Sequence, residues 1–317
     1  MDVSIIIVSW NTRDILRNCL KSVYEQTKNI TFEVILIDNA SSDGTAEMVR
    51  NEFPHVNLIK NSQNRGFAAA NNQGMKIARG KYILLLNPDT IILNAAINKT
   101  LVFAEQNPEA GVIGCQAFWP DGRRQNTCFK FPSLKLVAIA SLCFFRMAKP
   151  FHIPLLHPDR YLNYDFNLQH DVDIVAGCFF LIRKNVIEKV GMFDEQFFMY
   201  GEEAEWCYRI QKAGWRIRYF PDAHIVHIYG ASSSQVQDDA RINVRRGNLL
   251  FLHKTKGPLT AWIANLFMTV GVLFRMPFWL IRDLWDTVAN KKLPPIWKKR
   301  FKIIIFHNRG LFWPSWL

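Results

Sequence analysis

KYILLLNPD, residues 81–89, is the stretch whose reading decides the fold. Its apolar residues run without alternation and end on Asn-Pro-Asp, as in a strand covered on both faces that stops at a turn. VSIIIVSW (3–10), FEVILIDNA (32–40) and VNLIKN (56–61) upstream have the same texture. Between the first two, Thr12 to Gln26 carries Ile15, Cys19, Leu20 and Val23 on one face, which predicts a helix with Thr12 as N-cap. Further helices are expected over Ser42 to Asn51 and from near Phe67 to Gly80. Strands alternating with helices over short connections predict an α/β fold with a largely parallel sheet flanked by helices.

Downstream, AGVIGCQAF and DVDIVAGCFFLIRK read as strands, and about 201–213 as a helix rich in acids and aromatics. The stretch from Trp119 to His170 is irregular; within it SLKLVAIASLCFFRMAK (133–149) suits a buried or interfacial helix better than a membrane span. A hydrophobic fraction of 49% and a charged fraction of 21% are those of a folded chain of 317 residues. The six cysteines are scattered without a CxxC pair, and MDVSIIIVSW lacks a basic n-region, so reduced thiols in a cytosolic protein are expected.

The net charge of +12 is all at one end. Residues 241–317 hold 14 Lys/Arg against Asp283 and Asp286, while the first 240 residues hold 25 bases and 25 acids. From Pro258 the chain is apolar and tryptophan-rich. Arg245, Arg246, Lys254 and Lys256 lie before it, and Lys291, Lys292, Lys298, Lys299, Arg300 and Lys302 after. A single span would leave one basic cluster on the non-cytoplasmic side. An in-plane or re-entrant amphipathic anchor on an anionic membrane surface satisfies both, with Trp262, Trp279 and Trp285 at headgroup level. Two parts are therefore expected, a catalytic domain over 1–256 and a basic membrane-associating segment over 257–317.

Three sites fall where an open α/β sheet offers them. Asp38 closes the second strand, as a turn former or as an acceptor for a nucleotide base or ribose. Asp89 closes the fourth, as a turn residue or as a carboxylate holding Mg²⁺ or Mn²⁺ against a diphosphate. In GEEAEWCYRIQKAGW (201–215), Glu202 and Glu205 share a helix face and Glu203 projects elsewhere. Aromatic neighbours there raise a carboxylate's pKa and suit it to general-base work.

VSIIIVSWN, ILIDNASSDGT, NRGFAAANNQG, YILLLNPDT, VAGCFFLIRK, VGMFDEQFFMYGEE and CYRIQKAGWRIRYFPDAHIVH occur in this order over roughly residues 3–250. The ordered set resembles glycosyltransferase family 2, GT-A fold, most closely its bacterial rhamnosyltransferase-like members. The resemblance implies that Ser9, Asn11 and Asp38 line a nucleoside pocket and that Asn64 and Gly66 lie against the donor. It implies further that Asn87 and Asp89 fill the Asp-x-Asp position with Asp89 as metal ligand, and that His227 joins the metal site. Glu203 takes the catalytic-base position, with Glu202, Glu205 and Trp206 on the acceptor side. The family's Glu-Asp-x-Asp-Leu is here Glu202, Glu203, Ala204, Glu205, Trp206, so two carboxylates reach a methylene further.

The expectation is an inverting, metal-dependent glycosyltransferase at the inner face of the bacterial membrane. Its donor is a dTDP- or UDP-sugar, rhamnose favoured by resemblance alone, and its acceptor a cell-surface glycan or polyprenyl-linked saccharide. A UDP-hexose transferase and a catalytically degenerate glycan-binding member are the alternatives. A nicotinamide oxidoreductase is disfavoured because the first strand leads to SWNT rather than GxGxxG. A nucleic-acid partner is not expected, since the basic tail is apolar and carries no nucleic-acid motif.

Overall fold

The computed structural model describes residues 1–142, 161, 164–228 and 237–288. Packing divides the chain into two compact units, residues 1–131 with 160–235 and residues 132–159 with 236–317.

The first unit opens with β1 (Val3–Ser9), α1 (Arg13–Gln26), β2 (Phe32–Asp38), α2 (Thr45–Glu52), β3 (Asn57–Lys60), α3 (Phe67–Ile77) and β4 (Tyr82–Leu86). Past Asp89 come β5 (Thr90–Leu93), α4 (Ala96–Gln106), β6 (Ala110–Phe118), β7 (Arg124–Gln125) and β8 (Cys128–Phe129). After α5 (Leu134–Leu142), which belongs to the second unit, the chain returns. It forms β9 (His170–Asp171), β10 (Ile174–Val175), β11 (Phe179–Arg183), α6 (Lys184–Val190), α7 (Glu202–Lys212) and β12 (Arg216–His227).

The main sheet runs β3-β2-β1-β4-β11-β6-β12-β5. Strands β3, β2, β1 and β4 are parallel; β11 enters antiparallel between β4 and β6, and β12 pairs parallel to β6. This is the expected helix-flanked α/β sheet. Val3, Ile5, Ile6 and Ile7 of β1 are fully buried, and from α1 Leu16, Cys19, Leu20 and Val23 close one face of the core. The register pairs Ser9 with Asp38, and β4 ends alongside Ile7, so the strand ends nearest the candidate residues share one sheet edge.

Thr12 stands at the N-cap of α1, as expected, with its hydroxyl bonded to Ser9 Oγ (2.9 Å) and not to a helix amide. Two other helix boundaries differ from expectation, each for a local reason. Helix α2 starts at Thr45 rather than Ser42, because the Asp43 carboxylate accepts from Thr45 N (3.1 Å) and Oγ1 (2.6 Å). Helix α3 stops at Ile77 rather than Gly80, since the amides of Arg79 and Gly80 turn to Ser4 Oγ (3.1 and 2.8 Å).

In the second unit, Gly257 (φ +89°) separates α8 (Gln237–Lys256) from α9 (Pro258–Val288). Packing groups α5 and α8 with α9, so this unit takes in more chain than the 257–317 segment set apart by composition. Gly271 passes so close to α5 that a Cβ would run into the Ser141 carbonyl. Pro258–Trp279 is long and apolar enough to cross a membrane by length and composition, with mean hydropathy 1.5. The second basic cluster (Lys291, Lys292, Lys298, Lys299, Arg300, Lys302) and the end of the 133–149 stretch lie outside the described residues.

Candidate active site

At the β1 and β2 ends the chain makes a cup of short polar side chains. Asn11 sits in the left-handed region (φ +51°). Its amide donates to Ser41 Oγ (3.0 Å), and its Oδ1 accepts from Ser42 N (2.8 Å) and Ser42 Oγ (3.3 Å). Ser9 is buried, its carbonyl taking the Asn39 amide at 2.8 Å. Asp38 is 0% exposed. Its Oδ1 accepts from Ser41 N (3.0 Å), whereas Oδ2 meets no donor in the protein. A buried oxygen left that way costs about 1–3 kcal/mol, which a bound donor group would relieve.

The β3–α3 loop lies beside this cup. Asn64 Oδ1 accepts from Asn39 Nδ2 (2.8 Å) and Gly66 N (2.9 Å). Gly66, at φ +82° and ψ 172°, packs against the Phe198 backbone, where a Cβ would collide with the carbonyl oxygen. The next amide, Phe67 N, donates to that same oxygen at 2.6 Å. Gly66 thus holds the loop that runs through Tyr200 (φ +70°) and Gly201 (φ +96°) into α7.

Asn87, Asp89 and His227 come together. Asp89 Oδ1 lies 3.2 Å from His227 Nε2, and Asn87 Nδ2 lies 3.4 Å from the same nitrogen. Backbone pairing sets this, with Thr90 opposite His227 in the β5–β12 ladder and Ile228 N donating to Asp89 O at 2.9 Å. On the far side of the imidazole, Nδ1 donates to Gln125 Oε1 at 2.7 Å, which leaves Nε2 turned to Asp89. Gln125 was not among the residues picked out from sequence. Its β7 strand is two residues long, and the one signal is the Asp121-Gly122 turn that folds it back on β6.

Helix α7 carries the acids on a wall of aromatics. Trp206 is fully buried, stacked on Phe180 (centroids 5.4 Å, 6°) and against Phe193 (4.4 Å), with Nε1 donating to Gly191 O at 2.8 Å. Glu205 accepts from Arg209 Nε at 2.7 and 3.0 Å, and Arg209 also donates to Val190 O and Met192 O. Glu205 and Trp206, expected on the acceptor side, are therefore engaged within the protein.

Glu202 and Glu203 are not tied down in that way, and the Oε2 atom of each meets no donor. Burial, then the charge of Glu203, pushes Glu202 well above the usual carboxylate range. Burial also raises Glu203, opposed by its own amide, that of Gly201 and the Glu202 carboxyl. Two adjacent carboxyls raised in this way resist being ionised together, so the pair shares its titration.

Residues 4–191 match the family model described as glycosyl transferase family 2. Over 210 residues the chain is 29% identical to the N-acetylglucosaminyl-diphospho-decaprenol L-rhamnosyltransferase of Mycobacterium tuberculosis, covering 61% of this chain and 66% of that protein. It is 28% identical over 233 residues to the O-antigen biosynthesis protein RfbC of Myxococcus xanthus, covering 73% of this chain but 17% of RfbC. A mannosyltransferase from Pyrobaculum calidifontis, solved with GDP-Man and Mn²⁺, has a TM-score of 0.57 at 15% identity, covering 99% of this chain and 87% of that one. That likeness concerns the fold, which is GT-A. With more than half of its residues matched by the family model, the chain belongs to glycosyltransferase family 2.

Proposed function

We propose that the chain is an inverting glycosyltransferase moving a sugar, rhamnose favoured, from a nucleoside-diphosphate donor to a cell-surface glycan or polyprenyl-linked acceptor. The observation that carries the proposal is the Asp89 Oδ1–His227 Nε2 pair, 3.2 Å apart at the sheet edge. Adjacent ligands on an octahedral ion with bonds of about 2.1 Å are about 3.0 Å apart, so the donor set fits Mg²⁺ or Mn²⁺. Among the described residues no group of three or more His, Cys, Asp or Glu forms such a site, so diphosphate oxygens and water would complete the shell. When bound, the ion would offset the charge developing on the leaving diphosphate.

The chain's own residues supply the rest. Asp38 Oδ2 accepts from the base or ribose, while Ser9, Asn11, Asn64 and Gly66 shape the donor side. Glu203, at the start of α7, takes in its ionised form the proton of an acceptor hydroxyl. The oxygen attacks the anomeric carbon opposite the diphosphate, the new C–O bond forms as the sugar–phosphate bond breaks, and configuration inverts. Gln125 holds the His227 ring so that Nε2 stays toward Asp89. Residues 1–256 would act as the catalytic part and 257–317 as the membrane-associating part, with the protein peripheral at the cytoplasmic face.

The test is a donor panel of dTDP-rhamnose and UDP- and GDP-sugars, with and without Mn²⁺ or Mg²⁺, read as nucleoside diphosphate release. Release from a UDP-hexose in place of dTDP-rhamnose would establish the hexosyltransferase alternative. Glu203→Gln should abolish transfer and leave donor binding nearly intact; loss of binding instead removes Glu203 from the base role.

A further inference from the structure

Between Pro258 and Trp279 the sole charged residue is Arg275. Its Nη2 donates to the α5 carbonyls Ala140 O (3.1 Å) and Ser141 O (2.7 Å). An unsatisfied charge in an apolar setting is expensive, and these partners relieve it. The charge is thus spent inside the unit.

At about 100° per residue, Arg275 falls on the same side of α9 as Ala261, Ala264, Met268 and Val272, all buried. Leu259, Trp262, Leu273, Ile281 and Trp285 fall on the other side, within an arc of about 140°. They are 68, 44, 51, 64 and 70% exposed. One helix therefore shows an inner face packed against protein and an outer face of large apolar side chains.

The inner neighbours decide how such a helix can meet lipid. It packs on α8, whose sequence QDDARINVRRGNLLFLHKTK is too polar to follow it through hydrocarbon, and on α5. The last turn of α8, just before α9, is basic, with His253, Lys254 and Lys256. That charge complements anionic headgroups, and Trp262 and Trp285 suit the interface at either end.

We propose that the outer arc of α9 lies in the plane of an anionic lipid surface, seated by Leu259, Trp262, Leu273, Ile281 and Trp285, while α5 and α8 stay on its protein side. This deepens the membrane reading above, and its test is independent of the sugar transferred.

The experiment uses the full chain with vesicles of phosphatidylcholine, with and without about a third phosphatidylglycerol, read by co-sedimentation. Binding is expected to the anionic vesicles and release by alkaline carbonate. Leu273→Gln with Ile281→Gln should weaken partitioning by about a hundredfold, about tenfold per side chain, whereas Leu273→Ile with Ile281→Leu should retain it. Donor hydrolysis without vesicles should match wild type in both, so failure of the lipid proposal and failure of the transferase reading are told apart. Unchanged binding of the Gln pair, resistance to carbonate, or equal binding to neutral vesicles would each overturn the proposal. So would self-association without lipid that the Gln pair abolishes, which would assign the face to a second copy.

Discussion

Replacing Gly66 with Ala tests whether the loop into α7 is held as described. Gly66 has φ +82° and ψ 172°, a region open essentially to glycine, and an L-residue there costs about 1–3 kcal/mol. The new Cβ would also displace the Phe198 carbonyl and with it the 2.6 Å bond from Phe67 N, about 1 kcal/mol more. A loss of about 2–4 kcal/mol lowers the melting temperature of a unit this size by roughly 5–15 °C. The assay is thermal unfolding followed by tryptophan fluorescence, which reports the packed Trp206. Gly122→Ala is the control. Gly122 has the same φ of +82° but nothing within 4 Å of an added Cβ, so it carries backbone strain without a collision. Because Phe198 leads into Gly201 and the acid pair, kcat should fall in Gly66→Ala more than donor affinity does. If Gly66→Ala melts with Gly122→Ala and turns over normally, the loop is not held by this contact.

Further expectations concern single groups. Gln125→Leu removes the acceptor at His227 Nδ1 and should weaken Mn²⁺ binding about 10–100-fold by electron paramagnetic resonance titration; an unchanged affinity would separate His227 from the metal. Asp38→Leu should cut nucleoside diphosphate affinity by about tenfold or more in calorimetry, since a hydrogen bond to a charged group contributes about 1.5–3 kcal/mol. Intact affinity would return Asp38 to the role of a turn residue. Glu203 must be ionised to take a proton and burial raises it, so transfer should fail as pH drops through a value above the usual glutamate range. A pH profile flat down to that range would exclude Glu203. Glu202 is held protonated, so its contribution to stability is full below the unfolded pKa and is lost as pH rises toward the folded one. Glu202→Gln should therefore melt at or above wild type at pH 8, the advantage vanishing near pH 4; the opposite trend would mean that Glu202 is buried ionised.

The parallel half of the sheet was legible because β1, β2 and β4 are continuous apolar runs ending on polar turn residues, and periodicity reports that directly. Asp38 was legible for the same reason, closing β2, and Asp89 as the acid of the Asn-Pro-Asp turn after β4. His227 was marked only by the resemblance, since Arg216–His227 is no continuous apolar run. Gln125 was not legible, because a two-residue strand has no period and its importance arises only from pairing with β6. The roles within α7 could not be read from spacing either. Glu202 and Glu205 share a face, yet Arg209 claims Glu205 and the neighbouring Glu203 couples to Glu202. Nor did composition anticipate that an internal segment, α5, packs with the C-terminal helices, since that grouping rests on Gly271 and Arg275 meeting Ser141.

The β5–β12 ladder has a consequence for synthesis. Asn87 and His227 are 140 residues apart in the chain, and the latter's strand is the last of the sheet. A nascent chain that has emerged only as far as β11 already holds the cup around Asp38 and the turn at Asp89, but β5 has no partner strand and the imidazole has yet to be made. Closing so long a loop is slow by nature, so the edge that joins Asp89 to His227 should be among the last parts to mature. Translation halted before residue 227 would leave the polar cup around Asp38 without the imidazole that meets Asp89.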